Sequence, residues 1–320
     1  MTRAPDLQAK FLGGMIGSGL GDAIGELAFR HRDETALHTA LAQVNVLTYT
    51  DDTAMAIGLA ESLAATGMID EQHVGDCFLR NYKREPWRGY ASGPPTVFSL
   101  VEQRGLSYRQ AAARLFGGAG SFGNGAAMRI APVGLFFYNA PDLYAQAEAS
   151  AAVAHAHPVG IDGAAVLAKA IAQVVHWTPD EPFPWQQLLQ ELIAFARTRE
   201  IQNQLQLAGE MLTHGVAPET AVTRLGYGIE VQASTPFALY AFLRHAASFE
   251  HCLLCAVTHG GDRDTLGAMA GALSGAYLGV EAIPVAWRAK LENHDYIEQL
   301  ARTLAEMALP SPSEAAVSSG

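Results

Sequence analysis

Residues 262–279 read DRDTLGAMAGALSGAYLG. Gly267, Gly271, Gly275 and Gly279 recur every fourth residue, with Ala268, Ala272 and Ala276 beside them. On an α-helix a spacing of four forms one stripe. Each glycine disfavours a helix interior by about 1 kcal/mol relative to alanine. A helix that keeps such a stripe must recover that energy through close backbone approach. The stretch therefore predicts a central, tightly packed helix over 264–279. It is too short to span a bilayer and runs into Glu281.

The same character extends outward. Alanine is abundant, β-branched alternation is scarce, and apolar residues keep helical spacing over 6–26, 52–66, 70–84, 93–104, 107–115, 124–138, 141–155, 159–176, 184–197, 199–213, 218–227, 235–246, 249–257, 264–279 and 294–307. No Pro/Ser linker divides the chain. The reading is all-α, one compact multi-helix domain over 1–308, followed by a small, polar, disordered tail at 309–320.

Composition narrows the function. With 32 acidic and 21 basic residues the net charge is −11, which disfavours nucleic acid binding through a broad basic surface. An anion could still be held by helix N-termini and backbone amides. Three cysteines are too few for a disulfide framework, and CLLC at 252–255 reads as core thiols rather than a zinc or redox pair. The N-terminus imitates a signal peptide, but Asp22 and Glu26 interrupt it and no cleavage motif follows. The expectation is a cytoplasmic monomer with no membrane association.

Two helices begin with surplus acid. TYTDDTAM (48–55) carries Asp51 and Asp52 between Thr50 and Thr53; GGDRDT (260–265) carries Asp262 and Asp264 before Thr265. Asp and Thr are preferred helix caps, and acids suit a first turn. One carboxylate and one hydroxyl would satisfy each start, and each has more. Converged, the clusters would repel unless hard cations such as Mg²⁺ or Mn²⁺ joined them. Capping and metal binding both remain open on this local ground. GSGLGDAIGELAF (17–29) adds Asp22 and Glu26 four apart on one helix face. Its G-x-G-x-x-x-G spacing is one residue too long for a dinucleotide fingerprint.

Five segments in order, GDAIGE (21–26), YTDDTAM (49–55), GSFGNGAAMRIAPVGL (120–135), AHAHPVGIDGA (154–164) and GGDRDTLGAMAGALSGAYLG (260–279), together resemble the ADP-ribosylglycohydrolase family. YKREPWRGYASGPPTVF (82–98) looks most like the branch acting on serine-linked ADP-ribose. The resemblance implies an all-α fold and two Mg²⁺ or Mn²⁺ ions. It implies Thr50, Asp51, Asp52, Asp262, Asp264 and Thr265 as metal ligands, with Glu26 matching a mobile glutamate at the metal site. It makes Gly120, Ser121, Phe122, Gly123 and Asn124 the loop holding the diphosphate and distal ribose, and His155 a residue of the same pocket. The residues read alone agree in part, because GAGSFGNGAAMR is a glycine-rich loop opening into a helix that can hold a diphosphate.

The implied activity is hydrolysis at C1″ of ADP-ribose on modified protein, with serine-linked ADP-ribose favoured and poly(ADP-ribose) or O-acetyl-ADP-ribose left open as further substrates. Either Asp52 or Glu26 would move the proton. The alternatives are an arginine-linked hydrolase, a non-catalytic ADP-ribose binder, a two-cation phosphoesterase and a purely structural helical scaffold. The intact acidic set disfavours the binder, and the Gly-rich loop adds nothing for a simple phosphate monoester. Ala154 stands where the family often has Thr, and Phe122 where some relatives have Tyr.

Overall fold

Two glycine stripes meet back to back at the centre of the molecule. The computed structural model describes residues 6–179 and 182–309. Its first helix, Leu7–Ala28, packs against Arg263–Leu278. A Cβ added at Gly13 would lie 2.2 Å from the carbonyl oxygen of Gly275, one at Gly17 2.3 Å from that of Gly271, and one at Gly21 1.8 Å from that of Gly267. The pairs run in opposite directions, so the helices are antiparallel and their backbones touch. The helix expected at 264–279 is thus central, as its stripe requires, and the N-terminal glycines are its counterpart rather than a nucleotide loop.

The remaining helices wrap this pair. Among the described residues no β-strand is formed, and the extended pairings are two isolated bridges, Leu47 with Leu291 and Gly123 with Glu230. The buried apolar side chains form one continuous core. Lys10 is buried and ties it together, donating to the carbonyl oxygens of Trp177 (2.7 Å) and Tyr277 (2.5 Å), near the C-terminal ends of Pro158–Val174 and Arg263–Leu278. A cation there suits both helix ends. Cys77, Cys252 and Cys255 are free and buried, and burial pushes the Cys255 thiol up to about 12. No described helix is long and apolar enough to cross a membrane.

Several boundaries differ from expectation. The segment 124–138 is two short helices, Gly125–Met128 and Ala131–Phe136, because Pro132 has no N–H to continue the ladder and starts a new helix. Around 107–115 the helix stops at Ala112, and Phe116 then adopts φ 52° before two positive-φ glycines. Val231–Arg244 begins earlier than the expected 235 and carries Pro236 inside it. Glu34–Gln43 and Val285–Arg288 are additional helices. The last helix, His294–Ala308, ends at the expected boundary, whereas residues 310–320 of the expected tail lie outside the described residues.

Gly21→Ala should destabilise the protein by about 3 kcal/mol, because neither backbone at the crossing can move independently. Gly19→Ala, on the same helix but facing only side-chain ends at 3.3–3.5 Å, should change stability by less than about 1 kcal/mol. Chemical denaturation of both variants checks this; equal effects would mean that the crossing is not the tight point.

Candidate active site

The antiparallel register decides what meets at the end of the crossing. A Cβ at Gly25 would lie 2.3 Å from the Arg263 carbonyl oxygen and 2.5 Å from Asp264 Cα. Asp22, one turn earlier, is fully buried and holds the start of the Asp51–Thr66 helix. Its carboxylate accepts the Thr50 N–H (3.0 Å), the Thr53 N–H (3.0 Å) and the Thr53 hydroxyl (2.6 Å). The Thr50 hydroxyl accepts the Asp52 N–H at 3.4 Å. Thr50 and Asp22 therefore cap this helix, and Asp51 and Asp52 are left over from that task. At the second start Asp262 occupies the cap position without making a capping bond. Its Oδ2 accepts instead from Asn124 Nδ2 at 2.6 Å.

These acids line a cavity of about 320 Å³. One wall carries Asp51, Asp52, Asp262, Asp264 and Thr265; Ser121, Gly123, Asn124 and His155 form another, with the exposed Phe116 and Ile229 at its margin. The loop is shaped by close approaches. Gly120 has φ +75°, and a Cβ there would sit 2.7 Å from the His157 nitrogen. A Cβ at Gly125 would lie 2.9 Å from His155 Cε1, so glycine is what admits the imidazole. Ser121 Oγ accepts the Gly123 N–H (3.2 Å), and Asn124 N–H donates to the Ile229 carbonyl (2.9 Å).

Four expected residues, Gly120, Phe122, Glu26 and Thr50, stand off this cavity. Gly120 does not line it, and the Phe122 ring packs edge-on against His157 at 5.3 Å. Glu26 lines a neighbouring groove together with Thr50, and its side chain is 43% exposed and 3.9 Å from Arg30. His157 caps the Pro158–Val174 helix, accepting the Val159 N–H. His259 bonds Glu219. Asp162, within the AHAHPVGIDGA segment, is a buried cap for the Thr198 turn.

Charge is concentrated in the acid wall. Burial, then the charge of Asp22, raises Asp51 to about 7. Burial, then Asp262, raises Asp264 to about 8. Asp52 is pushed well above the carboxylate range by burial and then by Asp264. Asp22 rises to about 6 through burial, against the pull of its hydrogen bonds. Their positive counterpart is Arg129, from the segment that follows the glycine-rich loop. It is fully buried, donates to the Gly125 carbonyl, sits 4.9 Å over the Phe78 ring and is attracted by Asp51 and Asp52. His155 is held neutral, its pKa lowered to about 3 by burial and then by Arg129, and its Nδ1 has no protein partner.

Could this wall hold cations? Its donors are carboxylate and hydroxyl oxygens, the set that hard divalent ions take. Asp52 Oδ2 is buried with no hydrogen-bond partner. Among the described residues no three His, Cys, Asp or Glu side chains form a ready-made ion cage. The fit therefore lies in the donor chemistry and in that orphaned oxygen.

Comparison with known proteins gives the site its setting. The family model for ADP-ribosylglycohydrolase matches residues 3–313. The chain belongs to the ADP-ribosylglycohydrolase family, and it is an enzyme of the glycoside-hydrolysing class. It is 33% identical to ADP-ribosylhydrolase ARH3 of Bos taurus, over 92% of each chain. It is 32% identical to ADP-ribosylhydrolase ARH3 of Homo sapiens, over 92% of this chain and 93% of that one. A solved structure described as an ADP-ribosylglycohydrolase-related protein complex superposes with a TM-score of 0.73 at 26% identity, covering 95% of this chain and 99% of the other.

The raised carboxyl pKa values set a pH dependence for the cation-free protein. Each of these acids binds its proton more tightly when folded than near the unfolded value of about 4. Their contribution is therefore fully present below about pH 4 and is lost as pH rises through about 6 for Asp22, 7 for Asp51 and 8 for Asp264. Chelator-treated protein should show a lower Tm at pH 8 than at pH 5, and Mg²⁺ should raise Tm more at pH 8. A Mg²⁺ shift of equal size at both values would contradict the crowding of charge at this wall.

Proposed function

We propose that this protein is a divalent-cation-dependent ADP-ribosylhydrolase that cleaves the bond between C1″ of ADP-ribose and a serine oxygen of a modified protein. The observation that carries the reading is the convergence of Asp51, Asp52, Asp262 and Asp264 on one wall of a cavity whose other wall is the Ser121–Asn124 loop and His155. The serine linkage is supported by the likeness of residues 82–98 to the serine-acting branch; Gly89 and Ala91–Pro94 from that segment line the same cavity. The protein is further read as a monomer of a reducing compartment, in keeping with its free, buried cysteines.

Thr50, Asp51, Asp52, Asp262, Asp264 and Thr265 would hold two Mg²⁺ or Mn²⁺ ions, with Glu26 joining them from the groove side. When bound, the ions supply positive charge to the ribose hydroxyls and to water. The protein's own groups do the rest. The loop amides other than those of Gly123 and Asn124, which are taken by Ser121 and Ile229, suit the diphosphate. Neutral His155 offers a hydrogen bond without adding charge. The transition state has oxocarbenium character. Water adds its hydroxide to C1″, the bond from C1″ to the serine oxygen breaks, and water's proton ends on that oxygen. Asp52, buried and with Oδ2 free, and Glu26, on the leaving-group side, are the carboxyls assigned to this proton path.

With Mg²⁺ or Mn²⁺, proteins ADP-ribosylated on serine should release ADP-ribose, and arginine-linked substrates much more slowly. Asp51→Asn combined with Asp52→Asn should lower turnover by at least about 10³-fold, with an unchanged helical circular dichroism spectrum. Wild-type protein that binds Mg²⁺ yet releases nothing from either substrate would refute the reading.

A further inference from the structure

Beside the acid-lined cavity lies a second depression of about 410 Å³, lined by Ala23, Glu26 and Leu27 on one side, Val46–Thr50 on another, and Trp87–Gly89. The two adjoin at bare backbone. Thr50 and Gly89 border the groove, Asp51 and Gly89 border the cavity, and the Asp51 N–H donates to the Arg88 carbonyl at 2.8 Å. Gly89 has φ +91°, and even a Cβ there would stand 3.7 Å from Asp51 Oδ1. No side chain of Gly89 stands between the groove and the acid wall.

We propose that this groove binds the polypeptide that carries the modified serine, as an extended segment paired with the main chain of residues 46–48; the assignment rests on the hydrolase reading above and adds the aglycone side to it. A glycosidic bond has two sides. If the nucleotide lies along Ser121–Asn124, the leaving polypeptide must depart across another border of the acid wall, and this groove adjoins it at Thr50 and Gly89.

Residues 46–48 have the form of an open edge. Leu47 is bonded on one side only: its N–H donates to the Lys290 carbonyl (2.7 Å) and its C=O accepts the Glu292 N–H (3.0 Å). In an extended chain the main-chain groups of the flanking residues face the opposite edge. Among the described residues the main-chain groups of Val46 and Thr48 make no hydrogen bond, and both residues are exposed and line the groove. Leu47 between them and Tyr49 after them are buried. An exposed unpaired edge is the surface to which an extended peptide adds as a strand.

The groove also has an anchor. Trp87 is 72% exposed on its rim. The neighbouring Arg88 is buried and fixed by Glu292 (2.7 and 2.9 Å), Glu85 (3.0 Å), the Tyr49 carbonyl (2.9 Å) and the Tyr49 ring (4.1 Å). An outward tryptophan on a fixed segment gives contact area at little entropic expense. Glu26 and Arg30 add one charge of each sign, so the groove has no strong preference for acidic or basic peptide.

The test compares two substrates that share the same bond: ADP-ribosylserine blocked at both ends as a single residue, and the same residue within a twelve-residue peptide. The peptide should have the lower KM. Trp87→Ala should raise KM for the peptide by about tenfold and leave the blocked residue unchanged. N-methylation of the peptide backbone beside the modified serine should remove the peptide's advantage with the enzyme unaltered. Equal KM for the two substrates, or a Trp87→Ala loss shared by both, would overturn the groove assignment and leave the hydrolase reading standing. Release from neither substrate would overturn the hydrolase reading and this assignment with it.

Discussion

Backbone contact between the first helix and the Arg263–Leu278 helix fixes the register on which the site depends. With glycine at 13, 17 and 21 against 275, 271 and 267, the pair can slide only by whole turns, each about 5.4 Å. A slip of that size would carry Asp22 away from Thr50 and Thr53 and separate both from Asp262 and Asp264. The glycines thus do more than permit close packing. They set the level at which two distant acidic segments meet.

Hydrogen-bond accounting separates the carboxylates that build this protein from those available for chemistry. Asp22 and Asp162 are both fully buried, and both accept main-chain N–H groups and a threonine hydroxyl from another segment. Such bonds favour the ionised form and lock elements together. Asp52 is equally buried but has an oxygen with no donor. Asp262 takes a donor from Asn124, which ties the acid wall to the loop opposite. Caps and surplus acids look alike as letters; they differ in what reaches them.

Much was legible before the structure. The stripe at 267–279, the scarcity of strand patterns and the two acid-rich helix starts follow from local rules of spacing and capping. The partner of the stripe did not, because a glycine at position 21 carries no mark of the residue it will touch at 267. Residues 124–138 read as one helix because apolar spacing runs through Pro132, and only the missing N–H ends it. Phe116 in a left-handed conformation is set by the turn around it and has no signature of its own. Arg129 stands in the GSFGNGAAMRIAPVGL segment, yet its burial within the attraction of Asp51 and Asp52 arises from packing between distant segments. Glu26 shares a helix face with Asp22, but at the end of the helix that one extra turn places it in the adjoining groove.

The two helix starts also explain how so much acid can be gathered in one place. A helix N-terminus carries partial positive charge and favours anions in its first turn. Asp51 and Asp52 lie in one first turn and Asp264 in another, with Asp262 at its cap position. Thr50 and Asp22 supply the capping bonds at the first start, so Asp51 and Asp52 are not needed for that task and line the cavity. The dipoles offset part of the repulsion, and Arg129 a further part. Burial first, and the neighbouring carboxylates after it, raise the proton affinities of Asp51, Asp52 and Asp264. The wall's carboxyl groups are thus both desolvated and crowded, so that an ionised set there calls for a positive partner, whether a proton or a hard cation.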